Sequence, residues 1–148
     1  MKYQLFSYGS NNKDQLSARL GRDVKTTGAY AIGYARVFRG YSRGWQGGVA
    51  SLIKDKNKTT YGLIIRVNDD GLDLLDQYEG VASGNYRREK IRVCTQSDDF
   101  VDCFVYLSNS KTFNEPTESY LDAICKTINQ HWFSSDATKV TKDDLVIR

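Results

Sequence analysis

Val49-Ala50-Ser51-Leu52-Ile53-Lys54-Asp55-Lys56-Asn57-Lys58-Thr59-Thr60-Tyr61-Gly62-Leu63-Ile64-Ile65-Arg66-Val67 is the stretch on which the fold turns. Two runs rich in apolar residues, Val49 to Lys54 and Tyr61 to Val67, flank six polar residues, Asp55 to Thr60. In the second run Tyr61, Leu63, Ile65 and Val67 recur at period two, the spacing that lines one face of a strand. Asp55-Lys56-Asn57-Lys58 reads as a hairpin loop joining two antiparallel strands. Upstream, Tyr3 to Ser7 and Ala29 to Phe38 have strand character. Downstream, Tyr86 to Cys94 and Phe100 to Leu107 have it too. Helical spacing appears where Asp70-Gly71-Leu72-Asp73 caps a segment running to Tyr78, with Leu72, Leu75 and Tyr78 inward and Gly80 as its stop. It returns in Tyr120, Leu121, Ile124, Cys125, Ile128 and Trp132, and briefly in Leu16 and Leu20 before Gly21. From Ser134 onward no pattern is readable. Strands joined by short turns, with helices between and after them, predict an α+β domain around a curved, barrel-like sheet.

The chain of 148 residues, 40% hydrophobic, suits one domain spanning residues 1–148 with a real core. No apolar run reaches the ~20 residues of a membrane span, and the amino terminus has no signal-peptide pattern, so a soluble, cytoplasmic protein without a membrane partner is expected. Three cysteines and one histidine, His131, are too few and scattered for a disulfide framework or a zinc site. A hairpin turning at Asp98-Asp99 would set Cys94 opposite Cys103, and both are read as packing residues. The formal charge of +3 is mild. Its one basic cluster, Arg87, Arg88, Lys90 and Arg92, alternates along a strand around Glu89, which favours a solvated surface over a nucleic-acid partner.

Three places carry chemical groups worth weighing. In Tyr8-Gly9-Ser10-Asn11 the glycine permits a tight turn after a strand, and the following N–H groups can converge on an anion at a helix start. An ordinary capped turn gives the same letters. The stretch is not a nucleophile elbow, because Asn12 stands where GxSxG needs glycine, and one distant histidine gives no support to a Ser-His-acid hydrolase. Glu79 falls in the last turn of a helix, where the dipole disfavours a carboxylate. Partly buried there, it would hold its proton more tightly and serve as a general acid/base, whereas exposed it would be ordinary surface. Tyr86, Tyr106 and Tyr120 offer hydroxyls. Trp45-Gln46-Gly47-Gly48 is either a loop that lets backbone approach a ligand or a plain turn.

Taken together, these pieces resemble the γ-glutamylcyclotransferase family within the wider AIG2-like superfamily. Phe6-Ser7-Tyr8-Gly9-Ser10-Asn11 is similar to that family's FAYGSN strand-loop, and Trp45-Gln46-Gly47-Gly48-Val49-Ala50 to its WxGGxA segment. Leu75-Asp76-Gln77-Tyr78-Glu79-Gly80-Val81-Ala82-Ser83-Gly84-Asn85-Tyr86 resembles its LDxxEGVxSGxY stretch. A weaker match is Pro116-Thr117-Glu118-Ser119-Tyr120-Leu121, and the likeness runs from about Tyr3 to about His131. The resemblance implies a small mixed β-barrel flanked by helices and an enzyme that cyclises the γ-glutamyl group of an amide to 5-oxoproline, releasing an amine. It implies Glu79 as the catalytic acid/base, and Phe6, Ser7, Tyr8, Gly9, Ser10, Tyr86 and Tyr120 as substrate-binding residues. It implies a small γ-glutamyl substrate as partner, with no metal and no cofactor. Ser7 stands where alanine is usual and Asn85 where an apolar residue is common, which bears on the acceptor amine. Alternatives are a γ-glutamylamine cyclotransferase acting on γ-glutamyl-ε-lysine or another γ-glutamylated metabolite, and a non-catalytic ligand-binding module. The oligomeric state stays open, a homodimer included.

Overall fold

The computed structural model describes residues 2–9, 17, 18, 20, 21 and 25–132. Five strands, β1 (Lys2–Ser7), β2 (Thr26–Ser42), β3 (Gly47–Asn68), β4 (Tyr86–Thr95) and β5 (Phe100–Ser108), close into a barrel in the order β1-β3-β2-β4-β5. Neighbours pair antiparallel except at the closure, where β1 meets β5 in parallel at Leu5 and Phe104. Two helices accompany the barrel: α1 (Asp69–Tyr78) and α2 (Glu118–Trp132). The expected small mixed barrel with flanking helices is what the chain forms.

The stretch that opened the reading behaves differently from expectation in its middle. Residues 55–58 are not a hairpin loop, because β3 runs unbroken from Gly47 to Asn68 alongside β2. Ile32 pairs with Thr59 and Tyr34 with Lys54, so the polar residues are accommodated as a wide bulge opposite Gly33, whose φ of +82° supplies the bend. A bulge absorbs polar residues as well as a turn does when the partner strand continues on both sides. The true hairpin is β2 to β3, closed around Ser42 and Gly47.

Alternation divides β3 between two apolar clusters. Leu63, Ile65 and Val67 lie with Leu5 under Leu72 and Leu75 of α1, while Ile64 points the other way, into the cluster of Phe6, Phe38, Val93 and Val105. Tyr61 continues the first face beyond α1 and is exposed. Helix α2 adds Tyr120, Leu121, Ile124 and Ile128 to the larger cluster.

The cysteine expectation also needs correction. Cys94 pairs with Phe100 and Cys103 with Ile91, three rungs apart, because the turn is centred on Ser97, closed by Thr95 and Asp99, rather than on Asp98-Asp99. Thr95 N–H donates to Asp99 O (2.8 Å), Asp98 N–H donates to Thr95 O (2.9 Å), and Asp98 takes φ +63°. Both thiols are free and buried. The amino-terminal helix expected around Leu16 and Leu20 falls mainly outside the described residues, although Ser17, Ala18 and Leu20 are helical and Gly21 has φ +69°. Among the described residues no helix is long and apolar enough to cross a membrane.

Candidate active site

The end of β1, the end of α1 and the start of α2 open on one cavity of about 840 Å³, within the range of small-molecule sites. Phe6, Ser7, Tyr8, Gly9, Glu79, Tyr86 and Tyr120 all line it, so every expected site residue that is described faces the same space. Ser10 lies outside the described residues.

Glu79 is placed by backbone rather than by chance. Asn68 caps the start of α1, accepting from Gly71 N–H through its side chain (2.8 Å), and Glu79 caps the end. Glycine at position 80 takes φ +67°, Gly80 N–H donates to Gln77 O (3.2 Å) and Val81 N–H to Asp76 O (3.0 Å). This pair of bonds is the Schellman closure, and it fixes the residue between helix and turn. Glu79 is half-buried and is the one acid among the described residues lining the cavity.

Four of the tyrosines lining the same cavity are buried or half-buried. Burial raises the pKa of Tyr8, Tyr86, Tyr106 and Tyr120, and in each case the Glu79 charge adds a smaller upward push, which places the carboxylate within electrostatic reach of all four hydroxyls. Tyr120 is pushed up to about 12. All four remain protonated donors at neutral pH. Ala50 organises three of them. Its N–H donates to Tyr120 Oη (2.8 Å), and its carbonyl accepts from Tyr86 (3.4 Å) and, at the limit of contact, from Tyr8 (3.5 Å). The Tyr8 hydroxyl donates chiefly to the Tyr106 carbonyl. Because Tyr120 accepts from Ala50, its own proton remains for a second partner, and the long Tyr86 bond is readily exchanged for a ligand.

Two features of the site went unread in the sequence. Arg36, on the same face of β2 as Phe38, is buried behind the loop and donates Nε to Tyr8 O (2.7 Å) and Nη2 to Tyr61 O (2.6 Å). Burial lowers its guanidinium to about 10, which leaves it charged at neutral pH. The signal was present, since Tyr34-x-Arg36-x-Phe38 puts a cation in line with inward aromatics. The second is the role of Gly47-Gly48. The backbone they admit belongs to the chain itself: Gly48 N–H donates to Glu115 O (3.0 Å), and a Cβ on Gly48 would lie 2.1 Å from Asn114 O. Residues 112–115 are thereby strapped across β2 and β3, delivering α2 and Tyr120 to the cavity, where Trp45 packs against the Tyr120 ring (5.0 Å between centroids).

The buried hydroxyls set a pH prediction. A raised folded pKa leaves stability intact below the unfolded value and removes it as pH climbs toward the folded one. For Tyr120 that window is pH 10 to about 12, costing at most ~1.4 kcal/mol per pH unit. The Cys103 thiol, pushed from 9.0 up to about 12 by burial and then by Asp102, starts the decline earlier. Arg36, whose guanidinium is lowered by burial to about 10, acts oppositely above that pH, as one group against several. Denaturant midpoints are expected to be level from about pH 7 to about pH 9 and to fall steeply by about pH 11. A midpoint that holds at about pH 11 would contradict the buried placement of these hydroxyls.

Among the described residues no three His, Cys, Asp or Glu side chains converge as metal ligands. Similarity to known proteins agrees with the architecture. The human protein named gamma-glutamylcyclotransferase is 28% identical over 128 residues, a match covering 81% of this chain and 66% of the human one. The chain thus spans just under two thirds of that relative's length. A solved structure described as gamma-glutamyl cyclotransferase superposes with a TM-score of 0.83 at 24% identity, over 88% of this chain and 80% of that one. An uncharacterized human protein does so at 0.83 and 22%, over 97% and 95%. At these identities the superpositions speak for the fold. Residues 5–124, which include Glu79 and all the described cavity tyrosines, match the family described as gamma-glutamyl cyclotransferase, AIG2-like, and the chain belongs to that family.

Proposed function

We propose that the protein is a γ-glutamylcyclotransferase, converting γ-glutamyl amino acids to 5-oxoproline and the free amino acid with Glu79 as general acid/base. The observation that carries this reading is the convergence of one carboxylate and four protonated tyrosines on a single cavity. A relative carries that activity as its name. Glu79 takes a proton from the substrate's α-ammonium, and the freed nitrogen attacks the γ-carbonyl carbon. The new C–N bond closes a five-membered ring, whose nitrogen gives up its second proton as the original amide C–N bond breaks, and Glu79 relays the two protons in turn to the departing nitrogen, which leaves as an ammonium. Folding the glutamyl chain makes the attack intramolecular, where good orientation is worth effective molarities of ~10⁵ M or more. Tyr86 and Tyr120 hold the folded chain through their hydroxyls, and the N–H groups of the Tyr8-Gly9-Ser10 loop receive the α-carboxylate or the developing oxyanion.

Arg43, the one cation among the described residues lining the cavity, offers a partner to a carboxylate on the leaving amine. That favours amino acids as leaving groups over simple amines. The reading places the protein in the cytoplasm, with a small molecule and no nucleic acid as partner. The test is release of 5-oxoproline from γ-glutamyl-alanine, γ-glutamyl-ε-lysine and glutathione by purified protein. Preference for γ-glutamyl-alanine is expected. Preference for γ-glutamyl-ε-lysine would reassign the acceptor, and no product from all three would leave a ligand-binding protein.

A further inference from the structure

Tyr106 joins the two halves of the cavity. Its carbonyl accepts from the Tyr8 hydroxyl on the loop side, and its own hydroxyl donates to Asp76 Oδ1 (2.6 Å) on the α1 side. The other oxygen of Asp76 receives Arg88 Nη1 (2.6 Å) from β4. Asp76 also accepts Val81 N–H (3.0 Å) through its carbonyl, the bond that closes the cap around Glu79. One aspartate therefore holds the cap by its main chain while its side chain is pinned to two strands of the barrel. Arg88 is itself seated over the Phe104 ring, 5.0 Å from its centroid. Both charges of the pair are mostly covered, which makes the loss of either partner costly and the geometry stiff.

The geometry points to Asp76, with Arg88 and Tyr106, as a positioning unit that fixes the distance between the Glu79 carboxylate and the Tyr8-Gly9 loop. The unit rests on the reading of Glu79 as acid/base. Neither Asp76 nor Arg88 lines the cavity, so each acts only through what it holds. Each relayed proton must leave the α-nitrogen and reach the departing one, and a carboxylate displaced by about 1 Å loses on the order of a hundredfold in rate without a matching loss in binding. A pair that served stability alone would lower the melting temperature and leave kcat in place.

The test compares Asp76→Asn, Arg88→Met, Arg88→Lys and Glu79→Gln in the full chain, measuring kcat and KM for the γ-glutamyl substrate, affinity for 5-oxoproline by calorimetry, and melting temperature. Asp76→Asn is expected to lower kcat by about tenfold to a hundredfold with KM and 5-oxoproline affinity within about twofold. Arg88→Met is expected to lower kcat less, and Arg88→Lys to recover most of that loss by keeping the charge. Asp76→Asn and Arg88→Met with kcat within about twofold of the parent would overturn the positioning unit, as would losses that rescue by lysine does not touch. Inactive Glu79→Gln beside a fully active Asp76→Asn refutes this unit alone, whereas an active Glu79→Gln refutes the acid/base reading and the unit with it.

Discussion

Glu79→Gln is expected to fold as the parent does and to lose turnover by about 10²- to 10⁴-fold, the range of a removed general acid/base. The backbone at this position is held by bonds from Glu79 N–H to Leu75 O (2.9 Å) and by the two closing bonds at Gly80 and Val81, none of which involves the carboxylate. An amide of nearly the same shape therefore leaves the cap and cavity standing. What it cannot do is accept a proton from the α-ammonium. Affinity for 5-oxoproline should change little, since the tyrosines and the loop remain. Steady-state kinetics beside a melting curve decides it: near-parental kcat at an unchanged melting temperature removes Glu79 from the chemistry.

Gly48→Ala is expected to produce the largest effect on stability. A methyl group there would lie 2.1 Å from the Asn114 carbonyl oxygen and 2.8 Å from its carbon, and a main-chain carbonyl has no rotamer by which to move aside. The strap over residues 112–115 must lift, straining the bonds from Gly48 N–H to Glu115 O, from Gly40 N–H to Thr112 O and from Asn114 N–H to Phe38 O. Overpacking with partial loss of these bonds costs about 3 kcal/mol. For a chain of this size that lowers the melting temperature by about 6–12 °C. Because the strap leads into α2, Tyr120 shifts as well and turnover falls with stability. An unchanged melting temperature would show that the strap does not depend on the glycine pair.

Much of the architecture was legible because its elements obey simple periods. Leu63, Ile65 and Val67 at spacing two mark the face that α1 covers, and Leu72 and Leu75 mark the helix side that meets them. What sequence reasoning could not distinguish was a turn from a bulge at residues 55–58. Polar residues suit both, and the difference lies in whether β2 continues alongside. The register error at Cys94 has a related origin, since Thr95, Ser97, Asp98 and Asp99 are all good turn formers and only the bonds to Thr95 select the pivot.

The candidate site was legible in its cavity-lining letters and not in its supports. Glu79, Tyr86 and Tyr120 stand in recognisable motifs, and the structure brings them to one space. Arg36, Asp76 and Arg88 sit on separate elements, and nothing in their local sequence says that one props the Tyr8 carbonyl and the other two share a bond near the cap. Long-range partners of this kind are set by tertiary packing. The WQGG segment was legible as a turn, but the reason for its glycines was not, since they answer to a strap more than sixty positions away.

The most direct test of the proposed chemistry is the fate of solvent oxygen when purified protein turns over γ-glutamyl-alanine in water enriched in the heavy oxygen isotope. Intramolecular attack by the α-nitrogen predicts 5-oxoproline without the label, formed in step with free alanine. Labelled glutamate would mean that water is the nucleophile, and would contradict cyclisation at this site.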